Sequence, residues 1–242
     1  MILDLDIGNT RIKWRLTENG ETRDAGSVAT REGLANVAHL ADPVRRVRVA
    51  SVVGSLRADV EHWAWARWQV VPEFAAVVDG AGGVRCGYMD AGQLGVDRWL
   101  ITVAAWQRCR RPLVVVSAGT ALTVDMVDGG GRHLGGYILP GLRLMASSLG
   151  VSTWGVRVES RDKASLAPGR STVEAVSHGA LTGAIGVIRQ ALAVSGARVL
   201  YLTGGDASVL VPWLEADTET WQAPDMVMEG LEIVLPPGEQ PL

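Results

Sequence analysis

A carboxylate, a glycine-containing turn, a hydroxyl and a lysine follow one another near the start of the chain. Asp6 lies in an apolar run, Ile2 to Ile7, that predicts a buried strand, and Arg11 to Leu16 then alternates as a half-buried strand does. The turn between them is Gly8-Asn9-Thr10, and Lys13 lies on the returning strand. Turn amides can bind anions, and Mg²⁺ takes carboxylate oxygens. The stretch therefore suits a Mg²⁺-bound polyphosphate, although an ordinary polar hairpin explains it equally well when it stands alone.

A second copy of this pattern follows, with Ser117 lying 111 residues after Asp6. Leu113 to Ala118 is again an apolar strand, Gly119-Thr120 is again a turn, and Ala121 to Val127 again has period two. Two such hairpins in equivalent places predict a duplicated fold with the phosphate tail of a nucleotide lying between them. In this the chain resembles the actin/hexokinase/Hsp70-like (RNase H-like) fold. We therefore expect an α/β protein of two halves, each a mixed five-stranded sheet with flanking helices.

The length and composition allow this organisation and exclude several classes of partner. The 242 residues are enough for two halves, expected at 1–112 and 113–236, with a flexible tail at 237–242. A net charge of −3 without a basic stripe argues against direct binding of nucleic acid or of an anionic membrane. No apolar run is long enough to span a bilayer. Two cysteines make no disulfide framework, and without a signal peptide we expect a cytoplasmic location.

The rest of the first half predicts two helices and three more strands, the first of which is Thr22 to Ala29. Thr30 can cap a helix from Arg31 to about Leu40, and Val47 to Val53 is an apolar strand. Ser55 then opens a helix that runs through Trp68, and Val70-Val71 starts a short strand. The order strand-strand-strand-helix-strand-helix-strand is that of one actin-like half.

A glycine-rich segment, residues 80–93, precedes the next helix. It has little periodicity and is long for a plain connection, which predicts a functional loop. It leads into Gly95-Val96-Asp97-Arg98, where a helix begins that runs to about Arg108. Asp97 at the helix entrance can cap the helix. Alternatively, it is a general base beside an arginine that clamps a substrate carboxylate. The residues alone do not decide between these two interpretations.

The second half predicts two helices and a nucleotide-side turn. Pro140-Gly141 starts a helix to about Leu149, and residues 150–170 lack periodicity and are expected to fold over the pocket. Ser171 and Glu174 have the capping-box spacing at the start of a helix that runs to about Val194. The strand that ends at Thr203 leads into Gly204-Gly205, which in this fold class packs against adenosine.

Four motifs, in this order, resemble type III pantothenate kinase over nearly the whole chain. They are Asp6-Ile7-Gly8-Asn9-Thr10, then Gly95-Val96-Asp97-Arg98, then Gly119-Thr120-Ala121 with Thr123 and Asp125, and finally Gly135-Gly136-Tyr137-Ile138-Leu139-Pro140-Gly141. Any one motif is weak, but four in order at compatible spacing are specific. The resemblance implies ATP-dependent phosphorylation of pantothenate at its primary hydroxyl, which is the first step of coenzyme A biosynthesis. It also implies a homodimer with each substrate pocket near the subunit interface, and dependence on Mg²⁺ and a monovalent cation (K⁺ or NH₄⁺).

The resemblance also implies a role for each matching residue. Asp97 takes the place of the catalytic base. The positions that match the pantothenate pocket are Tyr88, Gly95, Val96, Arg98 and Thr172. Those that match the ATP and phosphate site are Asp6, Gly8, Asn9, Thr10, Lys13, Gly119, Thr120, Gly204 and Gly205. Asp6 is the implied Mg²⁺ ligand, Ser117 stands at the monovalent-cation position, and Asp125 is a further metal-ligand candidate.

The departure at Ser117 leaves three functions open. The family usually has Asp at the head of the second Gly-Thr motif, and a neutral hydroxyl cannot replace a carboxylate as a cation ligand. Asp125 would compensate in part, and Asp90 also replaces a residue usual after the tyrosine. We expect a pantothenate kinase with weakened metal handling, or a catalytically weak or inactive homologue that acts as a regulatory or transcription accessory protein. Another small-molecule kinase of the same fold is the third, since fold does not fix substrate; Asp97-Arg98 after Tyr88 favours a carboxylated alcohol over a sugar.

Overall fold

The structure is a computed structural model that describes residues 1–37, 43–152 and 165–236. The chain divides into two compact units, which are Met1–Ala104 together with the segment from Asp225 onward, and Ala105–Pro224. Each unit contains one five-stranded sheet with helices against it. The predicted duplicated fold is therefore confirmed.

The first unit is built on the strand order β3-β2-β1-β4-β5. The central strand β1 pairs antiparallel with β2 and parallel with β4, so the sheet is mixed. Its elements are β1 (Ile2–Ile7), β2 (Arg11–Glu18), β3 (Glu21–Ala29), β4 (Arg46–Ser51), α1 (Arg57–Trp68), β5 (Glu73–Phe74) and the beginning of α2 (Val96–Cys109), since the boundary between the units falls after Ala104. The alternating residues of β1, β2 and β4 bury one apolar face together with Val60 and Ala64 of α1. This face forms because the apolar residues repeat with period two on the strands and at i, i+4 on the helix.

The second unit repeats this topology, with the strand order β10-β9-β6-β7-β8. Its central strand β6 pairs antiparallel with β7 and parallel with β9. The elements are β6 (Leu113–Ala118), β7 (Ala121–Val127), β8 (His133–Pro140), α3 (Leu142–Ser152), α4 (Thr172–Ser195), β9 (Val199–Thr203), α5 (Ala207–Leu210), β10 (Glu219–Gln222). Apolar residues of β6, β7 and β9 pack against one side of α4, where Leu181, Ile185 and Ile188 are buried.

The helix predicted from Arg31 to Leu40 is wrong over the residues that the structure describes. Two short 3₁₀ turns, Thr30–Glu32 and Leu34–Asn36, replace it, and residues 38–42 lie outside the described part of the chain. Thr30 does not cap a helix, because its hydroxyl donates to the Gly8 carbonyl at 2.8 Å. Gly33 between the turns has φ +72°, which a continuous right-handed helix does not allow.

The short strand predicted at Val70-Val71 occurs instead at Glu73–Phe74. Gln69 ends α1 in the left-handed conformation, and the chain then leaves Val71 largely exposed. Arg46 on β4 holds the strand through two contacts to the Glu73 carboxylate, at 2.6 Å and 2.7 Å. A bidentate ion pair at a strand edge is not visible in an apolar pattern, which explains the error.

The last helix, α6 (Met226–Val234), belongs to the first unit, whereas the sequence boundaries grouped it with the second. Arg15 of β2 donates to the Met228 carbonyl at 3.1 Å and to the Glu232 carboxylate at 2.7 Å. Arg48 of β4 donates to the Leu235 carbonyl at 3.1 Å. The predicted tail at 237–242 lies outside the described residues. Among the residues described, no helix is both long and apolar enough to cross a bilayer.

Candidate functional site

Asp6 and Lys13 face one another across the first hairpin. The carboxylate of Asp97 also affects the pKa of Asp6. Asp6 is the second-to-last residue of β1 and pairs in register with Lys13 on β2. Burial raises the pKa of Asp6 to about 6; the Lys13 ammonium lowers that pKa and the Asp97 carboxylate raises it further. The mutual effect brings together three of the residues that the sequence singled out. A carboxylate at the place of Asp6 can serve as one ligand of Mg²⁺ when phosphate oxygens and water supply the others.

The turn after Asp6 is shaped for close approach. The Gly8 amide donates to the Arg11 carbonyl at 3.0 Å and so closes the turn, while Asn9 and Thr10 are exposed at its tip. A Cβ on Gly8 would lie 3.4 Å from the Arg11 carbonyl oxygen, so packing within the chain does not exclude a side chain there. The glycine instead leaves the turn bare towards solvent. This is the local shape that a phosphate group needs when it binds to backbone.

Asp97 lies in the first turn of α2, and the helix accounts for its position. The Gly95 carbonyl accepts the first helical hydrogen bond, from the Trp99 amide at 3.0 Å. A Cβ built on Gly95 would be 2.7 Å from Oδ1 of Asp97, so the carboxylate lies directly over this glycine. Asp97 is half-buried, as is Val96 beside it. An anion at this place interacts favourably with the dipole of the helix.

Arg98 and Tyr88 form the second polar group of the first unit. The Arg98 Nη1 donates to the Tyr88 hydroxyl at 3.0 Å, and its guanidinium carbon lies 5.7 Å from the centre of the tyrosine ring. Arg98 is only 4% exposed, while Tyr88 is half-buried. Asp90 caps the 3₁₀ turn Ala91–Gln93 by accepting from the Gly92 amide at 2.9 Å. The loop therefore holds Tyr88 against Arg98. Asp90, which differs from the residue usual in the family, has a structural role here as the cap of this turn.

Ser117 and Thr123 occupy the place in the second hairpin that Asp6 and Lys13 occupy in the first. They pair in register across β6 and β7, and Gly119 closes the turn by donating to the Ala121 carbonyl at 3.0 Å. Thr120 is exposed at the tip, as Thr10 is in the first hairpin. Thr123 is 8% exposed and, within the described residues, its hydroxyl has no hydrogen-bond partner. The second hairpin thus has the same backbone but no charge at its head.

Asp125 does not compensate for the missing carboxylate. It is fully buried, two residues further along β7 than Thr123, and its Oδ1 lies 2.9 Å from Nε2 of the equally buried His133. The sequence reasoning named Asp125 but missed His133, because no periodicity or motif links the start of β8 to the middle of β7. The strand register alone brings the two side chains together.

Gly204 and Gly205 differ in the space around them. Gly204 has φ +91°, and a Cβ there would collide with the Ala118 carbonyl oxygen, so the turn after β9 is packed tightly onto β6. Asp206 then donates its amide to the same Ala118 carbonyl at 3.0 Å. Gly205 is exposed with nothing within 4 Å of its would-be Cβ. Only Gly205 therefore has open space in which a ligand could lie.

Thr172 is the first residue of α4 and lines a groove between α3 and α4. The groove has a volume of about 470 Å³, and its other lining residues are mostly apolar, among them Pro140, Met145, Leu149, Val176 and Gly179. Thr172 itself is exposed. The Ser171 hydroxyl caps the helix by accepting from the Glu174 amide at 3.2 Å, but the Glu174 carboxylate accepts from Arg170 rather than completing the capping box.

Within the part of the chain that the structure describes, no three His, Cys, Asp or Glu side chains are grouped so as to hold a metal ion by themselves. Mg²⁺ is usually held by one or two carboxylates together with substrate phosphates and water. The arrangement at Asp6 fits that kind of site rather than a closed metal cage.

Comparisons with known proteins identify the relatives of the chain. Residues 2–193 match the family model described as type III pantothenate kinase. The type III pantothenate kinase of Chromohalobacter salexigens is 43% identical over 98% of this chain and 88% of its own. That of Marinobacter nauticus is 40% identical over 98% of this chain and 99% of its own.

Solved structures with similar folds span the same length. A Campylobacter jejuni protein assigned to the Baf family of transcriptional activators has a TM-score of 0.68 at 23% identity, covering 96% of both chains. The activator of the 2-hydroxyisocaproyl-CoA dehydratase from Clostridium difficile, solved with ADPNP bound, has a TM-score of 0.54 at 13% identity, covering 97% of this chain and 92% of that one. At these identities the likeness establishes the fold alone.

Proposed function

The chain belongs to the type III pantothenate kinase family, and we propose that it transfers the terminal phosphoryl group of ATP to the primary hydroxyl of pantothenate. The product is 4′-phosphopantothenate, and the reaction is the first step of coenzyme A biosynthesis. The observation that carries the proposal is the match of residues 2–193 to the family model, and Asp97 stands in that stretch at the motif position of the catalytic base. Phosphoryl transfer needs such a group to orient the attacking hydroxyl beside the phosphates.

Asp97 is the catalytic base in this proposal. Its carboxylate accepts the proton of the pantothenate hydroxyl as the oxygen attacks the phosphorus atom, and the helix start beneath it fixes its direction. The support is its half-buried position over Gly95, where the dipole of α2 favours the anion.

Arg98 and Tyr88 bind the substrate carboxylate. A guanidinium that solvent barely reaches forms a strong charge-assisted pair with an anion, and the Tyr88 hydroxyl at 3.0 Å holds it in one direction. Gly95, Val96 and Thr172 contact the rest of pantothenate. This assignment explains why an exposed loop is held so firmly against a buried arginine.

ATP binds through its phosphates to the two hairpin turns. The exposed Asn9, Thr10 and Thr120 offer polar groups, Gly8 and Gly119 leave room for phosphate oxygens, and Lys13 adds positive charge. Gly205 is the residue with open space for adenosine, while Gly204 allows the turn that presents it.

Mg²⁺ fits the residues at the first hairpin. Asp6 would be its protein ligand, with the remaining oxygens supplied by phosphates and water. When bound, this ion neutralises the charge that develops on the phosphates. A pKa of about 6 leaves Asp6 mostly ionised at neutral pH, as a metal ligand must be.

A monovalent cation does not fit the second hairpin in the same way. Ser117 offers a neutral hydroxyl, and the Asp125 carboxylate is buried against His133 at 2.9 Å. Cations of this kind are held by oxygen ligands, and a carboxylate adds the charge that a hydroxyl lacks. We therefore propose that this chain binds K⁺ or NH₄⁺ weakly.

We further propose a homodimer in the cytoplasm. The support is a set of exposed apolar side chains on three neighbouring elements of the second unit, β8, α3 and α4, which an interface would cover. They are Ile138, Leu144, Leu149 and Val173, exposed by 63%, 47%, 46% and 46%. Sedimentation analysis would test this, with Leu144→Asp expected to give monomers and a dimer unchanged by that substitution contradicting the assignment.

Ser117 favours a second candidate function, that of a catalytically weak homologue with a regulatory or transcription accessory role. It would retain nucleotide or pantothenate binding while losing most of the phosphoryl transfer, because the second hairpin lacks its usual carboxylate. The test below separates the two functions directly.

The decisive test is phosphorylation of pantothenate by the purified protein with ATP, Mg²⁺ and K⁺, beside an Asp97→Asn variant. We expect turnover in the wild-type protein, at least about a thousandfold lower turnover in Asp97→Asn, and unchanged nucleotide affinity in both. Wild-type protein that binds ATP or pantothenate but does not turn over would support the accessory role instead. Turnover of another small alcohol in preference to pantothenate would favour the third candidate, a different small-molecule kinase.

A further inference from the structure

The segment Ser165 to Ser171, which we call the strap, runs back along the first turns of α4. At its start, Leu166 packs against the apolar core of the second unit. At its end, Ser171 caps the helix, and its carbonyl accepts from the Ala175 amide at 2.8 Å. The strap is therefore anchored at both ends, and Thr172 is the residue that follows it directly.

Two side chains of α4 hold the middle of the strap. Nδ1 of His178 lies 2.7 Å from the Ala167 carbonyl oxygen, and the Arg170 amide donates to Oε2 of Glu174 at 2.7 Å. Between these two bonds Gly169 lies so close to the helix backbone that a Cβ there would be 2.6 Å from the Glu174 carbonyl carbon. The helix thus holds the strap by a donor, His178, before Gly169 and by an acceptor, Glu174, after it.

Glu174 and His178 lie in the first two turns of α4, beside the groove that Thr172 lines and away from the buried core face of the helix; Glu174 is exposed and His178 is half-buried. A carboxylate and an imidazole in these turns would ordinarily be solvated. Here each is directed to a backbone group of the chain that leads into Thr172.

We propose that Glu174 and His178 are positioning residues for Thr172, through the strap. This inference rests on the proposed function, in which Thr172 contacts pantothenate. A side-chain hydroxyl at the first residue of a helix keeps one direction only if the preceding backbone is fixed, and the two bonds fix it on both sides of Gly169. We assign neither residue a contact with pantothenate or ATP, so we expect both to act on the affinity for pantothenate and not on the chemical step.

The chemistry of the two bonds supplies matched variants. The bond from His178 needs a donor at Nδ1, and the side-chain amide nitrogen of asparagine occupies nearly the same place, so His178→Asn keeps the bond and His178→Ala removes it. Glu174→Gln keeps an acceptor oxygen for the Arg170 amide, and Glu174→Ala removes it. His62, exposed on α1, provides His62→Ala as a control for loss of a histidine elsewhere.

The test is steady-state kinetics on these variants with pantothenate and ATP varied in turn. We expect His178→Ala and Glu174→Ala each to raise the KM for pantothenate about five- to tenfold, the effect of losing one well-formed hydrogen bond. The kcat and the KM for ATP should stay within about twofold, and His178→Asn, Glu174→Gln and His62→Ala should behave as wild type.

A double-mutant cycle separates positioning from general loss of order. If the strap acts through Thr172, His178→Ala adds little to the KM of Thr172→Val, whereas independent effects would multiply. Multiplied effects, a fall in kcat instead of a rise in KM, or an unchanged KM in an active enzyme would overturn the inference alone. A wild-type protein without pantothenate kinase activity would overturn the proposed function and this inference together, and the two failures are distinguished by that first measurement.

Discussion

Thr123 lies directly across the sheet from Ser117, and its hydroxyl is buried without a hydrogen-bond partner within the described residues. Side chains of such a pair lie on the same face of the sheet. In the first hairpin the equivalent pair is Asp6 and Lys13, in which an acid faces a base. The unpartnered Thr123 hydroxyl lies where an acidic side chain at position 117 would offer it an acceptor.

This relationship predicts that the contribution of Thr123 to stability depends on residue 117. A buried hydroxyl without a partner costs free energy, so we expect Thr123→Val to raise the free energy of unfolding by up to about 1 kcal/mol in the wild-type background. In a Ser117→Asp background the carboxylate accepts from the hydroxyl, and the same change should lower stability by about 1–2 kcal/mol. Urea denaturation of the four proteins measures both values. An equal effect of Thr123→Val in the two backgrounds would contradict the pairing.

The same substitution should change the response to monovalent cations. We expect the KM for ATP of the wild-type protein to differ less than about twofold between potassium and choline buffers, and that of Ser117→Asp to differ more than about tenfold. The reason is that only the variant adds a carboxylate ligand at the second hairpin. Ser117→Asn, which has similar size but no charge, is the matched control and should behave as wild type. A strong potassium dependence of the wild-type protein would sink this prediction.

Asp6 should impose a pH dependence near neutrality. Its pKa of about 6 lies above the ordinary value of 3.8, chiefly because of burial. Protonation removes the ligand for Mg²⁺, so the affinity for Mg²⁺-ATP should fall as the pH drops through about 6, and Asp6→Asn should abolish both the affinity and its pH dependence. Calorimetric titrations at several pH values measure this. The titrations reach about one unit to either side of the pKa, from pH 5 to pH 7. An affinity of the wild-type protein for Mg²⁺-ATP that does not change over this range would refute the role of Asp6.

The stability of the free protein should depend on pH in the opposite direction, because it rises as the pH falls. The folded state binds the Asp6 proton more tightly than the unfolded state does, so this group begins to destabilise the fold as the pH rises above 3.8, and the destabilisation is complete once the pH exceeds about 6. The destabilisation disappears as the pH falls towards 3.8, and in the limit it amounts to about 3 kcal/mol. We expect the difference in unfolding free energy between Asp6→Asn and wild type to grow between pH 4 and pH 7, which span about this titration.

The buried ion cluster of the first unit should control stability without touching catalysis. Asp4 is fully buried. It accepts hydrogen bonds from Nε and Nη2 of Arg48 at 2.6 Å and 2.9 Å, and from Nη2 of Arg15 at 2.8 Å. Asp4→Asn removes the buried carboxylate of the 1% exposed Arg48 and leaves it only the half-exposed Glu232, 3.7 Å away, so the change should cost about 3 kcal/mol. Denaturant unfolding measures the cost.

The matched control is the exposed pair of Arg57 and Glu61 on α1, whose side chains are 61% and 45% exposed at a separation of 3.0 Å. Glu61→Gln should cost less than about 0.5 kcal/mol, because solvent screens the pair. Equal costs at Asp4 and Glu61 would show that burial of the cluster does not govern its contribution.

The local patterns predicted much of the fold, while the roles assigned to the residues of the candidate site stay predictions. The period-two strands on either side of Gly8 and Gly119 form as predicted, because turn chemistry and apolar alternation act within a few residues. The long helix from Thr172 also begins where its cap was predicted, at Ser171. The errors fall where distant groups intervene: Thr30 turns its hydroxyl to the Gly8 carbonyl, and Glu73 is fixed by Arg46 on another strand.

The sequence by itself determined the duplicated fold, the family and the identity of the residues at each motif, because these depend on residue type and short spacing. Only the tertiary structure decided which charges remain available. Strand register places Asp125 against His133 and leaves Thr123 facing Ser117, and the return of α6 to Arg15 adds the last helix to the first unit. These contacts join residues far apart in the chain or on different strands, and their strength depends on burial, which no local pattern encodes.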